Sequence, residues 1–198
     1  MKRISILVCL LLFSTTLFAQ EEKNATSDFF SDWVFGIKGG YNASNMYGDV
    51  GNNSFLSSGH LGVVADKNIN EDLALSTEPH FSGEGQNLNG GYDRIIYFNI
   101  PVLVKFSATD ALSLDGGVHA GVKVTEKTKF SNGNTENRNR FKRIAPGITG
   151  GATYKIDSNW FAQFRTNLKL SDVVRKEGGD SEGSTILLFQ FSIGHSFN

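Results

Sequence analysis

The sequence predicts an all-β chain, an eight-stranded antiparallel up-and-down transmembrane β-barrel. Three observations predict it. The first is strict alternation in Ile95–Val124, IIYFNIPVLVKFSATDALSLDGGVHAGVKV. Ile96, Phe98, Ile100, Val102, Val104 and Phe106 fall on one face of an extended arm, opposed by Tyr97, Asn99, Leu103 and Lys105. After a short turn, Leu112, Leu114, Val118, Ala120, Val122 and Val124 share a face against Asp115, His119, Lys123 and Thr125. A period of two marks strands with one oily and one wet side, and arms of ~9–11 residues are long enough to cross a tilted bilayer.

The second observation is the rhythm of the connections. Long polar links (43–58, 83–93, 126–141 and 172–183) alternate with short ones (68–71, 108–110 and 157–159). Membrane barrels have long loops on one side and tight turns on the other. The third is aromatic placement. Trp33, Phe106, Tyr154, Trp160 and Phe197 fall toward the short-turn rim, and Tyr41, Phe81, Tyr92, Tyr97 and Phe141 toward the other. This is the pattern of two interfacial girdles.

The elements follow in order. Residues 1–19 read as a signal peptide: Lys2 and Arg3, an apolar run over Ile4–Phe13, and Ala19 before the cut. Cys9 leaves with it, so the mature chain has no cysteine for a disulfide or a thiolate metal site. Loss of Lys2 and Arg3 leaves 17 bases against 20 acids, a net of −3, which argues against a nucleic-acid partner. Residues 20–32 read as a polar periplasmic tail, and 33–198 as the barrel. Strand one is expected at Trp33–Asn42, with Trp33, Phe35, Ile37 and Tyr41 opposing Lys38. Strand two, Gly59–Lys67, is carried by Leu61, Val63 and Ala65. Strand three, Asp72–Ser82, sets Leu73, Leu75, Thr77, Pro79 and Phe81 against Ser76, Glu78 and His80. Strands four and five are the two arms above. Strand six is about Lys142–Ile156, strand seven Trp160–Ser171, and strand eight Ser184–Phe197. Pro79, Pro101 and Pro146 cannot donate to a ladder, so a bulge or break is expected at each.

Lipid contact requires every backbone polar group to be paired, which closes the sheet and sends the apolar faces outward. At eight strands the interior is only just wide enough for side chains. Lys38, Glu78, Asp115 and Arg165, at similar height from the short turns, are expected to form one lumen network with Glu78–Arg165 as its first pair; left unpaired, such charges would be very costly. The expected girdle residues are Trp33, Tyr41, Phe81, Tyr97, Phe106, Tyr154, Trp160 and Phe197. Lys127, Lys129, Arg138 and Arg140 are expected to contact lipopolysaccharide phosphate. His80, with Ser82 and Glu84, is the best-placed trio for catalysis near the outer rim, but no motif accompanies it. No catalytic, cofactor-binding or metal-binding residue is therefore assigned. Asp49–Ser54 (DVGNNS) lacks the spacing of a calcium loop.

FGIKGGYNASN, LALSTEPHFSGEGQ, YFNIPVLVKF and LSLDGGVHAGVKV, in that order, resemble the PorT-like outer-membrane β-barrel family of Gram-negative bacteria. Ile100–Lys105 fits that family's Ile-Pro-Leu-Leu-Lys-like core, whereas Glu78-Pro79 reverses its Pro-Glu pair. The resemblance implies a barrel in the outer membrane; the even strand count puts both termini on the periplasmic side, and with no catalytic motif the barrel is expected to be non-enzymatic. The expected partners are membrane lipid and lipopolysaccharide, the outer-membrane insertion machinery and, as the family's name-giving branch implies, secretion-system proteins; the expected role is envelope scaffolding or loop-mediated binding. The penultimate Phe197, followed by Asn198, departs from the usual aromatic terminus. The alternatives are a passive small-solute channel, a lipid A-modifying enzyme and a soluble lipocalin-like barrel with its oily faces inside.

Overall fold

The computed structural model describes residues 32–48, 53–130, 134–136, 141–170 and 184–197. The expected leader, most of the tail and residues 49–52 of the DVGNNS segment lie outside them. Eight antiparallel strands close on themselves: β1 Trp33–Tyr47, β2 Leu56–Asn68, β3 Leu73–Thr77 continued by His80–Leu88, β4 Gly91–Ser107, β5 Leu112–Lys129, β6 Ile144–Lys155, β7 Trp160–Lys169 and β8 Thr185–Phe197. Each pairs with its sequence neighbours, and β1 pairs with β8 from Phe35↔Phe197 to Tyr47↔Thr185, so no long edge is left. Two short pieces, Asn53–Ser54 and Thr135–Glu136, pair with β3 and β5.

The oily faces point outward. Ile37, Val63, Phe81, Val102, Val118, Ile148, Phe164, Phe191 and Ile193 are all exposed, whereas Lys38, Glu78, Lys105, Asp115, Arg165 and Lys169 are buried inside. A soluble barrel places these two classes the other way round, so the lipocalin-like alternative is overturned.

Each of the three short turns uses the same device. One side-chain oxygen accepts the two N–H groups that start the next strand, which is what Asn, Asp and Thr do in turns. Asn70 Oδ1 takes the amides of Asp72 and Leu73 at 3.0 and 2.8 Å. Thr109 Oγ1 takes those of Ala111 and Leu112 at 3.3 and 3.0 Å. Asp157 Oδ1 takes those of Asn159 and Trp160, both at 2.8 Å. The two amides hold the Asp157 carboxyl below its ordinary value. Because the folded pKa is depressed, this contribution is present above the unfolded pKa and lost as pH falls through the folded one. An NMR acid titration is expected to show the Asn159 and Trp160 amide shifts moving with a midpoint below 3.8, the ordinary Asp value.

Three expectations need correction. The strands run past their predicted outer ends: β1 to Tyr47, β5 to Lys129, and β3 and β4 through the whole predicted 83–93 loop. That loop is a hairpin with only Asn89 and Gly90 at its tip, Leu88 facing Gly91, and Gly90 at φ 85°. Asn-Gly suits the left-handed turn such a two-residue connection needs. Second, of the three prolines only Pro79 interrupts its strand. Pro101 and Pro146 sit in continuous strands and both pair with β5; Pro101 keeps its carbonyl bonded to Thr77 Oγ1 at 2.9 Å, and Pro146 its carbonyl to the Leu170 amide at 2.9 Å. The bulge in the β4–β5 pair lies at Ile96/Tyr97 instead. It leaves Val124 and Thr125 both exposed, so Thr125 is not on the inner face.

Third, Tyr97 does not belong to a girdle. It is 0% exposed and lies inside the barrel. Its odd position in β4 fixes this, since Ile95, Asn99 and Leu103 on the same parity are also buried. Phe141, expected near the outer rim, is likewise buried inside. Tyr41, Phe81, Phe106, Tyr154, Trp160 and Phe197 are exposed on the outward side, and Trp33 begins β1. At the short-turn rim the Trp160 ring meets His195 edge-on at 5.0 Å, and His195 meets Phe197 at 5.4 Å.

Candidate functional site

The inside of the barrel is layered, and the layers follow from which residues the even or odd parity of each strand turns inward. Nearest the short turns is an ionic layer. Glu78, placed at the Pro79 interruption of β3 and 0% exposed, is its hub. Lys38 from β1 and Arg165 Nη1 from β7 donate to Glu78 Oε2, Arg165 Nη2 donates to Oε1 at 3.2 Å, and Lys105 Nζ lies 3.1 Å from Oε1. Arg165 also grips Asp115 Oδ1 through Nη2 at 3.0 Å and Nε at 3.1 Å, and Lys105 bonds Asp66 at 2.9 Å. Three cations thus meet three carboxylates. Gln163 joins the layer, accepting from Lys38 at 2.9 Å and donating to Thr153 Oγ1 at 3.1 Å. Lys38, Glu78, Asp115 and Arg165 are therefore brought together by four different strands, and Lys105 and Asp66 extend the set.

Above it lies an uncharged polar layer. Asn42 Oδ1 accepts from His60 Nδ1 at 2.7 Å and from Gln190 Nε2 at 3.2 Å, while Asn42 Nδ2 donates to Ser82 Oγ at 3.0 Å. An amide oxygen only accepts, so Nδ1 of His60 carries the proton, and Nε2 meets Ser192 Oγ at 2.8 Å. His80 donates from Nδ1 to the Glu78 carbonyl at 2.7 Å.

A second ionic group follows. Lys169 Nζ lies 3.2 Å from Glu84 Oε2 and 4.0 Å above the Tyr97 ring, and Asn99 donates to Glu84 Oε1 at 2.9 Å. Glu84 was missed as a lumen charge because it fell in a stretch expected to be loop. His80, Ser82 and Glu84 do share one face, but all three are buried in the lumen and bonded to separate partners, and β3 runs on to Leu88. They are not at an open rim.

The long-link end is closed by an apolar cluster of Met46, Ile95, Tyr97, Phe141, Ala145, Ile186 and Leu188, none more than 2% exposed. At the opposite end a cavity of about 150 Å³, lined by Ser107, Ser113, Thr153, Lys155, Phe161 and Ser196 among others, reaches Lys105 and Asp66 and so meets the lower ionic layer. Among the described residues, no group of three His, Asp or Glu side chains is placed to hold a metal.

On the outer wall, Lys127 and Lys129 are exposed near the end of β5. Arg138 and Arg140, expected beside them, lie outside the described residues. Arg94, which the sequence reading left out, stands directly opposite Lys127 across the β4–β5 pair, and Tyr92 stands opposite Lys129.

A comparison with curated proteins finds no sequence match. Among solved structures, the chain is similar to the attachment invasion locus protein Ail of Yersinia pestis, in complex with the heparin analogue sucrose octasulfate: TM-score 0.53, 16% identity, covering 84% of this chain and 99% of that one. It is also similar to the Neisserial surface protein A, with TM-score 0.59 and 9% identity over 82% of this chain and 97% of that one. At these identities the likeness concerns the fold. Residues 18–175 match the family described as outer membrane protein beta-barrel domain, and the chain belongs to that family.

Proposed function

We propose that this outer-membrane barrel is a closed, non-enzymatic cylinder that acts through its surfaces, as an envelope scaffold or a binder of partners at its rims. The observation that carries the reading is the filled lumen: a three-on-three ionic layer at one level and an apolar cluster at the other end. Open aqueous channels belong to wider barrels. The His80–Ser82–Glu84 face, enclosed and committed to other partners, offers no route for a lipid or peptide substrate.

The orientation follows the usual rule, with short turns in the periplasm and longer links outside. The first and last strands both have their free ends at the short-turn rim, where Phe35 pairs with Phe197, which supports a periplasmic side for both termini under that rule. The PorT-like motifs favour a branch that assists protein secretion, with secretion-system proteins as partners. Affinity purification from native membranes in mild detergent is the direct check on that finer assignment.

Purified protein in planar bilayers is expected to give no unitary conductance. Reproducible discrete current steps would contradict the closed reading and favour a small-solute channel.

A further inference from the structure

The outward wall changes character along β4. From Phe106 up to Ile96 its outward residues are Val104, Val102, Ile100 and Phe98, and Phe98 meets Phe81 at 5.0 Å. Ten residue steps of ~3.4 Å, tilted by ~40°, span about 26 Å of height, which matches the apolar band of ~25 Å on barrels of this class. The next outward residue above Ile96 is Arg94, followed by Tyr92. A cation therefore stands at the level where hydrocarbon gives way to headgroups.

Arg94 is not alone there. Lys127 faces it directly, and Lys129 faces Tyr92, whose ring lies 5.1 Å from the Arg94 guanidinium carbon. Like charges directly opposite each other weaken a sheet. Nothing on these two strands offsets them: the three carboxylates of β4 and β5, Asp93, Asp115 and Glu126, are all buried inside. Asp93 accepts from Thr128 at 2.7 Å and from Gln86 at 3.2 Å, and Glu126 is bonded to Lys123. Arg94 Nε is enclosed and has no hydrogen-bond partner among the described residues.

We propose that Arg94, Lys127 and Lys129 form a clamp for a phosphate of lipid A in the outer leaflet, with the acyl chains of the same molecule lying on Ile96, Phe98 and Phe81 below. A phosphate monoester supplies the missing negative charge and accepts from the Arg94 fork. The amphiphile fits because cations and hydrocarbon-facing side chains are stacked in that order on one wall. The inference rests on the membrane orientation proposed above.

The test titrates detergent-purified protein with diphosphoryl lipid A, fully dephosphorylated lipid A and phosphatidylglycerol, and counts bound lipid by native mass spectrometry. The wild type is expected to hold diphosphoryl lipid A at least tenfold more tightly than either comparison lipid. Arg94→Gln with Lys127→Gln is expected to lose about tenfold or more, whereas Lys155→Gln at the other rim changes nothing. Equal binding of dephosphorylated lipid A would remove phosphate as the ligand. Equal binding of phosphatidylglycerol would replace lipid A with a glycerophospholipid. An unchanged double variant would remove the clamp. The lipid comparison on wild-type protein stands whether or not the double variant folds. Labelling of Asn89→Cys on intact cells with an impermeant reagent tests the orientation separately: no labelling there overturns the orientation and leaves the purified-protein result to be judged alone.

Discussion

Glu78→Ala is expected to destabilise the barrel by about 3–5 kcal/mol, the usual cost of removing one partner from a buried ionic cluster. The reason is the geometry of the hub. Lys38, Lys105 and Arg165 all converge on this one carboxylate, and its loss leaves three cations facing two acids in a largely buried space. Equilibrium urea unfolding of the protein in detergent or vesicles, followed by tryptophan emission, measures it. Pairing Glu78→Gln with Lys38→Met restores the charge balance and is expected to recover a large part of the loss. If Glu78→Ala unfolds at the same urea concentration as wild type, the ionic layer does not hold the strands together.

Val102→Arg is expected to cost about 2–4 kcal/mol in a bilayer, whereas Phe106→Arg on the same face is expected to cost only about 0–1 kcal/mol for its charge. Val102 lies midway along the outward row from Phe106 to Ile96, and it is 49% exposed to the surroundings of the barrel. A charge there meets hydrocarbon, while one at Phe106 reaches the headgroups. In water the two sites are nearly equivalent, so the depth dependence itself reports the membrane. Unfolding free energies measured for both variants in the same vesicles give the comparison.

The wall inside the bilayer was legible in the sequence because lipid imposes one rule. Each outward residue from Ile96 to Phe106 had to be apolar, and the polar residues between them had to point inward. That parity also brought Lys38, Glu78, Asp115 and Arg165 into one lumen, since positions counted from tight turns convert to height. Above the bilayer the rule reverses. There the wall meets headgroups and water rather than hydrocarbon, so Arg94 and Lys127 are outside while Ile95, Met46, Ile186 and Leu188 are inside, as in a soluble barrel. The reversal makes the upper strands look like polar loop, which is why β1, β3, β4 and β5 run further than the pattern implied.

The same reversal hid the apolar closure. Ile186 and Leu188 continue the inward parity of Gln190 and Ser192 in β8, but as apolar side chains on a face that is polar lower down they break the oily-outside pattern, so an apolar plug was not expected there. Tyr97 was misplaced for a different reason. Its aromatic character suggested a rim position, but its parity in the unbroken alternation of β4 turns it into the lumen, where its ring receives Lys169. Glu84 became a lumen charge once Asn89-Gly90 supplied the tip of a continuous hairpin, and that dipeptide was the available signal. The prolines were milder than expected because ladder breaks depend on which way the missing N–H points, and only Pro79 interrupts pairing.

The most direct measurement places one tryptophan on the outward face, Phe164→Trp in a chain carrying Trp33→Phe and Trp160→Phe, and reads its quenching in vesicles. Quenching by lipids brominated on their acyl chains, with little response to aqueous acrylamide, is the predicted result. Strong acrylamide quenching with none from the brominated chains would put Phe164 away from lipid and contradict the inside-out assignment on which the barrel, its ionic lumen and its outer-rim clamp all depend.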